Sequence, residues 1–191
     1  METSLAPSIQ IPLPHGLTML CGAHAVAGPM LDLCAQIALT RTLRILDCGN
    51  RSDMYYVAKE LRFLTRDPAA ALMRICLSRA FTCYQTAALL ENTLGLRETP
   101  IFVFDLLTTF LDESVSLREA ERLMTLCLTH LRQMSLENPV LVGIRPLAAS
   151  TEARAGLLEQ ARTAADQWVV KEEPGPPALP NVSDEIQLPL F

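Results

Sequence analysis

Two aspartates stand at the ends of apolar runs, where paired carboxylates could do chemistry. Asp47 ends the run Leu43–Asp47, and Asp105 ends the run Ile101–Asp105. If both runs are parallel strands, the two carboxylates reach the same sheet edge and could bind a metal ion. The alternative is that each carboxylate caps the helix that follows its strand. The sequence favours capping, and we predict neither a metal site nor a catalytic residue.

The histidines and cysteines form no recognisable catalytic pattern. His15 precedes the first apolar run, and His130 falls on a long helical segment near its polar edge. The cysteines show no CxxC spacing, so we predict that they are buried apolar side chains. The sequence leaves a Cys–His nucleophile pair open, although no cysteine follows the strand–turn–helix pattern of a nucleophile elbow. The six cysteines are Cys21, Cys34, Cys48, Cys76, Cys83 and Cys127.

Short apolar runs alternate with helical periods through most of the 191 residues. Continuous runs rich in Ile, Leu and Val suit strands that are buried on both faces by crossover helices. Four helix starts are indicated by Ser52, Asp67-Pro68, Thr82 with Gln85, and Ser116 with Glu119, and a fifth by Ser150. The pattern predicts one α/β domain with a mainly parallel sheet and helices on both faces. The predicted strands are Leu17–Cys21, Leu43–Asp47, Arg74–Leu77, Ile101–Asp105, Val140–Ile144 and Trp168–Val170.

Four segments follow from this pattern. Residues 1–15 form an N-terminal arm, and residues 16–171 form the core domain. Residues 172–186 are acidic and rich in proline without helical or strand period, which predicts a disordered linker. Residues 187–191 form a short apolar peptide at the end of this tail.

Composition restricts the location and the partners. No run approaches the roughly 18 apolar residues of a membrane span, and residues 1–10 lack a basic region, so we predict a cytoplasmic protein. The net charge of −5 argues against a strong nucleic-acid binder, because DNA affinity comes largely from phosphate neutralisation. DNA contact remains possible through an arginine stripe, if one face collects Arg41, Arg44, Arg51, Arg62 and Arg66; solvated helix ends are the commoner explanation.

The segment from Leu43 to Asn50, with the later stretch Arg79-Ala-Phe81 and Gln85, resembles the RecA/RadA recombinases. In that family a strand ending in an acidic residue leads through a helix to a strand that closes in a similar Arg-Ala-Phe stretch. Ile101–Asp105 resembles the Walker B strand, and Val140–Arg145 occupies the position of the sensor strand. The resemblance covers about residues 16–171 and implies a RecA-like core.

The chain departs from this family where phosphate would bind. A P-loop needs glycines for inward backbone amides, a lysine for the phosphate oxygens and a hydroxyl for magnesium. The first strand is followed by Gly22, His24 and Gly28, then by Pro29 and Met30, so this loop is degenerate. Gly49 stands where the family carries its catalytic glutamate. We therefore expect an inactive ATPase homologue without a cofactor, with ATP and magnesium binding as the less favoured alternative.

The last five residues, Gln187 to Phe191, resemble the peptide by which bacterial polymerases and repair factors bind the β sliding clamp. Leu188, Leu190 and Phe191 offer apolar anchors, and Gln187 can hydrogen-bond at the edge of a cleft. Burying Leu190 and Phe191 contributes about 2–3 kcal/mol each, in keeping with a micromolar contact. The alternatives are that the peptide folds back on its own domain or that the match is accidental.

Together these features predict a non-catalytic RecA-like accessory protein of DNA repair or translesion synthesis. Its expected partners are the sliding clamp and either a repair polymerase or a RecA-type recombinase. Its architecture is similar to that of the ImuA-type proteins. A divergent active ATPase and a DNA-binding recombination mediator are the alternatives.

Overall fold

The computed structural model describes residues 15–147 and 153–171. The predicted arm apart from His15, the linker 172–186, the peptide 187–191 and Ser150 lie outside them. Six strands form one sheet in the order β3-β2-β4-β5-β1-β6, and every pairing is parallel. The predicted α/β class is confirmed. The strands are β1 (Gly16–Gly22), β2 (Leu43–Asp47), β3 (Ile75–Arg79), β4 (Ile101–Phe104), β5 (Pro139–Ile144) and β6 (Gln167–Lys171).

Helices cover both faces of the sheet, as the sequence predicts. Three pack on one face: α1 (Ala27–Ala38), α2 (Met54–Leu64) and α3 (Pro68–Leu72). Three pack on the other: α4 (Cys83–Glu91), α5 (Leu117–Ser135) and α6 (Ala155–Ala164). Short 3-10 turns follow β1 at Ala23–Val26 and β4 at Leu106–Phe110. Within the described ranges, no helix is long and apolar enough to cross a membrane.

The central strands carry the core because parallel strands between two helical layers have no solvent-facing side. All residues of β4 and β5 are buried. Phe102 and Phe104 of β4 point to the α1–α3 face, and Ile101 and Val103 point to the α4–α6 face. Each buried phenylalanine contributes roughly 2–3 kcal/mol of transfer free energy. The edge strands β3 and β6 are only partly buried.

Most helix starts follow the predicted caps. The side chains of Asp67, Thr82 and Ser116 accept hydrogen bonds from backbone N–H groups in the first turns of α3, α4 and α5. The prediction for α2 is wrong by one residue. Asp53, not Ser52, caps this helix and accepts from Tyr55 and Tyr56, because the buried Ser52 hydroxyl is used by Asp47.

Candidate functional site

The carboxyl edge of the sheet brings the two predicted aspartates to either side of one glycine. β2 and β4 are neighbours, with Asp47 in register with Phe104, so Asp105 follows directly at the same edge. Oδ1 of Asp47 accepts a hydrogen bond from the Gly49 N–H at 3.3 Å. A Cβ atom built on Gly49 would stand 2.4 Å from the Cβ of Asp105. The expected proximity of the two carboxylates at one edge is therefore present.

Asp47 is fully buried and saturated with donors. Its carboxylate accepts from the backbone N–H groups of Gly49, Arg51 and Ser52, and from the Ser52 hydroxyl. Nε of Arg79 on β3 lies 3.2 Å from Oδ2. Burial alone raises the pKa of Asp47, but the hydrogen bonds from Ser52, Arg51 and Gly49 outweigh it and hold the pKa below its ordinary value. Asp47 thus organises the loop after β2. The expectation that it caps α2 is wrong, because Asp53 is the cap.

Asp105 is also buried, but it faces two arginines. Nε of Arg145, which follows β5, lies 2.7 Å from Oδ2, and Nε of Arg51 lies 3.5 Å from the same oxygen. Neither N–H is aligned well enough for a hydrogen bond, and Oδ1 has no hydrogen-bond partner among the described atoms. Arg145 also donates to the Thr108 hydroxyl at 2.6 Å. The predicted capping role is wrong for Asp105 as well, because its side chain makes no capping bond to the turn that follows.

This arrangement does not fit a magnesium ion on Asp105. Magnesium needs near-octahedral oxygen ligands, several of them water, yet the guanidinium groups of Arg145 and Arg51 stand against Oδ2. A permanently charged arginine cannot ligate a cation and repels one at this distance. In the described part of the chain, no group of three or more His, Cys, Asp or Glu side chains is placed to hold a metal. The guanidinium groups supply the positive charge that a buried carboxylate requires.

Gly49 closes the same place to a larger side chain. Besides the Asp105 Cβ, the Cγ and Oδ2 atoms of Asp105 would lie 2.7 and 2.6 Å from a Cβ at position 49. These distances are far inside van der Waals contact. In the family that this chain resembles, a catalytic glutamate stands at the position of Gly49. A glutamate here would require Asp105 to move, so the packing of the loop does not accommodate it.

The loop after β1 takes an unusual backbone form. His24, Ala25 and Val26 have φ values of 52°, 54° and 54°, the left-handed region that costs non-glycine residues about 1–2 kcal/mol each. His24 is exposed, whereas Ala25 and Val26 are buried. Gly143 of β5 makes the turn possible, since a Cβ there would stand 2.4 Å from the Ala25 carbonyl oxygen. The loop packs backbone against the sheet at this point.

The two predicted loop glycines have different roles. A Cβ on Gly22, the last residue of β1, would lie 2.9 Å from the Lys171 carbonyl oxygen, so this position needs a small residue. Gly28 lies in the first turn of α1, with nothing within 4 Å of its Cβ position. The next residue, Pro29, has no N–H to offer a phosphate. These residues do not fit a triphosphate: no lysine stands in the loop, and one amide of the helix start is missing.

One expectation about a single residue is corrected, and one buried side chain lacks a partner. His130 is buried on α5 although Thr129 and Gln133 beside it are exposed, and its Nδ1 has no hydrogen-bond partner among the described atoms. Cys76 is exposed because β3 is an edge strand, whereas the other five cysteines are buried as predicted. Burial raises the pKa of Cys48 and of Cys127 to about 12, so these thiols stay protonated near neutral pH.

The five arginines of the hypothetical stripe do not share one face. Arg51 stands at the carboxyl edge beside Asp105. Arg41 precedes β2 and donates to the Glu98 carbonyl oxygen at the opposite edge. Because α2 runs back across the sheet, Arg62 and Arg66 at its end also belong to that opposite edge. A groove of about 570 Å³ between α5 and α6 contains none of the predicted site residues.

Sequence reasoning missed the partner of Asp105. Arg145 was recognised only as the residue that closes a sensor-like strand. The sequence feature that could have identified this partner is its position. Arg145 is a charged residue directly after a fully buried strand, and such a residue lies at the same edge of the sheet as the two aspartates. The pairing still required the strand order, which places β5 next to β4.

Comparison of the sequence with protein-family models and with curated proteins gives no match. The arguments for function therefore come from the α/β fold and from the chemistry of the carboxyl edge.

Proposed function

We propose that this chain is a non-catalytic RecA-like accessory protein of DNA repair or translesion synthesis in the cytoplasm. Its C-terminal peptide, Gln187 to Phe191, recruits it to the β sliding clamp. Its core acts through contacts with other proteins, with a repair polymerase or a RecA-type recombinase as the class of partner. Neither nucleotide hydrolysis nor a bound metal is part of the proposal.

The observation that carries the non-catalytic part is the ion pair between Asp105 and Arg145. Asp105 resembles a Walker B aspartate, which would bind a metal ion. Here its Oδ2 lies 2.7 Å from Nε of Arg145, so the carboxylate is the buried partner of a guanidinium group. Phosphoryl transfer depends on positive charge around the phosphates and on an oriented nucleophile. At the carboxyl edge of the sheet, the loop after β1 contains no lysine, and Asp105 leaves no room for a glutamate at position 49.

The strand order supports a RecA-like core. β5, the strand that resembles the sensor strand, lies between β1 and β4. The degenerate loop after β1 and Asp105 after β4 therefore open onto one edge on the two sides of β5. The partly buried edge strand β3, which ends at Arg79 and is followed by the exposed Phe81, supports the proposed role in protein contacts.

Recruitment is tested with purified sliding clamp. Clamp immobilised on a sensor surface is titrated with the intact chain, with a chain lacking residues 187–191, and with a double variant Leu190→Ala/Phe191→Ala. We expect micromolar binding by the intact chain and at least a tenfold loss in both variants, because each loses about 4–6 kcal/mol of apolar burial. A Val182→Ala variant in the preceding linker is the matched control. Equal binding by all four chains contradicts the recruitment.

The alternative of an active, divergent ATPase is tested separately. Binding of ATP with magnesium that raises the melting temperature of the intact chain, and that is lost in Asp105→Ala, supports the ATPase and overturns the non-catalytic proposal. The proposal expects no ATP-dependent shift in either chain.

A further inference from the structure

β3 is an edge strand, and exposed apolar side chains occur before and after it in the sequence. Among the described residues, β3 pairs only with β2. Six of the ten exposed large apolar side chains in the described ranges belong to residues 55–84, the part of the chain that contains this strand. They are Tyr55, Phe63, Leu64, Met73, Phe81 and Tyr84. Exposed apolar side chains beside an unpaired strand mark an interaction surface.

The register defines which backbone groups of β3 face outward. The Arg74 carbonyl oxygen accepts from the Leu43 N–H, and the Ala80 N–H donates to the Asp47 carbonyl oxygen. Alternate residues of a parallel strand bond to the same neighbour. Arg74, Cys76, Ser78 and Ala80 therefore direct their backbone groups towards β2. Ile75, Leu77 and Arg79 direct theirs outward, with Leu77 in the middle.

This spacing is self-complementary. We propose that a second copy of this chain pairs antiparallel with β3 about a two-fold axis through Leu77, so that the two sheets join into one. Leu77 then exchanges both backbone hydrogen bonds with Leu77 of the other copy, and Ile75 exchanges both with Arg79. An isologous contact of this kind closes at two copies.

The side chains around the axis suit the same register. Met73 lies in the turn before β3 and Phe81 follows its end, so antiparallel pairing brings Met73 of each copy to the end of the strand where Phe81 of the other copy stands. The two side chains are 84% and 72% exposed, and sulfur–aromatic contacts are favourable. With Tyr84 and the backbone edge of the strand, they offer roughly 400–600 Å² per copy, the size of a weak interface.

Charge does not oppose the pairing. β3 carries a single charged residue, Arg79, and its guanidinium is neutralised by Asp47. In this register Arg79 stands opposite Ile75, so like charges are not placed against each other. β3 also lacks the lysines and prolines that commonly protect edge strands. The pairing follows from β3 alone and stands whether or not the chain binds a clamp.

The test measures the oligomeric state of the full chain by sedimentation from about 1 to 100 µM, the range of an interface of this size. We expect a monomer–dimer equilibrium. The variant Met73→Glu/Phe81→Glu places like charges at both symmetry-related contacts of the dimer and should weaken dimerisation roughly tenfold. The variant Met73→Glu/Phe81→Lys places opposite charges at the same two contacts and should restore dimerisation. Both pairs of substitutions are at exposed positions, so neither should unfold the chain.

The exposed Cys76 gives a second measurement. In the proposed register the two Cys76 residues are diagonal neighbours across the axis, about 7–8 Å apart and somewhat less between their Cβ atoms. A short bismaleimide should link two chains, and Cys76→Ser should abolish the link. A chain that stays monomeric at 100 µM, one that forms assemblies larger than a dimer, or a dimer indifferent to Met73→Glu/Phe81→Glu overturns the proposal. If a chain cut to residues 15–171 dimerises while the full chain does not, a terminal segment occupies the edge instead, and the proposal is again overturned.

Discussion

Gly49 lies so close to Asp105 that a Cβ atom at position 49 would stand 2.4 Å from the Cβ of Asp105. This contact links the loop after β2 to the residue after β4. It also lets the two arginines reach the same carboxylate oxygen, because a larger residue at position 49 would occupy the space that Asp105 now fills.

We predict that Gly49→Ala lowers the free energy of unfolding by about 1–3 kcal/mol, because overpacking must displace Asp105 or the loop backbone. Urea unfolding measures the change. Gly28→Ala is the matched control: its Cβ meets no atom within 4 Å, and alanine favours a helix over glycine by up to about 1 kcal/mol. If Gly49→Ala is as stable as Gly28→Ala, the described contact is not present in solution.

The Arg145–Asp105 pair should be energetically coupled. Arg145→Ala leaves a buried carboxylate with only the more distant Arg51, at a cost of about 2–4 kcal/mol. Asp105→Asn removes the charge that needs a partner. The double variant should therefore be more stable than the sum of the two single changes predicts, by about 1–3 kcal/mol. Denaturant unfolding of the four chains gives this coupling energy directly. An additive result contradicts the ion pair.

The pKa of Asp47 makes stability depend on acid. Its folded-state pKa lies below the ordinary value, so its contribution is fully present above the unfolded-state pKa, near 4. That contribution is lost as the pH falls from there through the lower, folded-state value. Asp47→Asn should therefore flatten the decline of stability below about pH 4 and cost roughly 1–3 kcal/mol at pH 7. Asp53→Asn, at the exposed cap of α2, is the control and should retain the acid-dependent decline.

Cys76 should react with thiol reagents faster than the other five cysteines. Cys76 alone is exposed, and the other thiols are buried. A disulfide reagent at pH 8 should label one cysteine rapidly in the folded chain and all six after unfolding in urea, because the thiolate is the reactive form and needs access. Cys76→Ser should remove the rapid phase. Fast labelling of Cys48 or Cys127 in the folded chain disagrees with their burial.

The strands could be predicted from the sequence because their signal is local. The runs that form β4 and β5 contain apolar residues at nearly every position, as strands covered on both faces do. The predicted β2 matches the observed one, whereas β3 begins one residue later and ends two residues later than expected. Arg79 belongs to the strand because it is in ladder register with Asp47, 32 residues earlier in the sequence, and its side chain also bonds to that residue.

The site could be predicted only in part for the same reason. The position of Asp105 at the edge follows from the alternation of strands and helices. Its ion pair with Arg145 depends on which strands are neighbours, and that is decided by the packing of the whole sheet. His130 shows the limit of helical periodicity: the pattern places it near the polar edge of α5 but does not show that its side chain is buried.

The strand order also has a consequence for how the chain folds during synthesis. β1 is made first, yet it pairs only with β5 and β6, more than 115 residues later. The β2–β3–β4 part of the sheet can form as soon as β4 leaves the ribosome, whereas β1 must wait with its apolar side chains uncovered. Long-range pairing of this kind slows folding. β1 therefore joins the sheet only after β5 and β6 have been made.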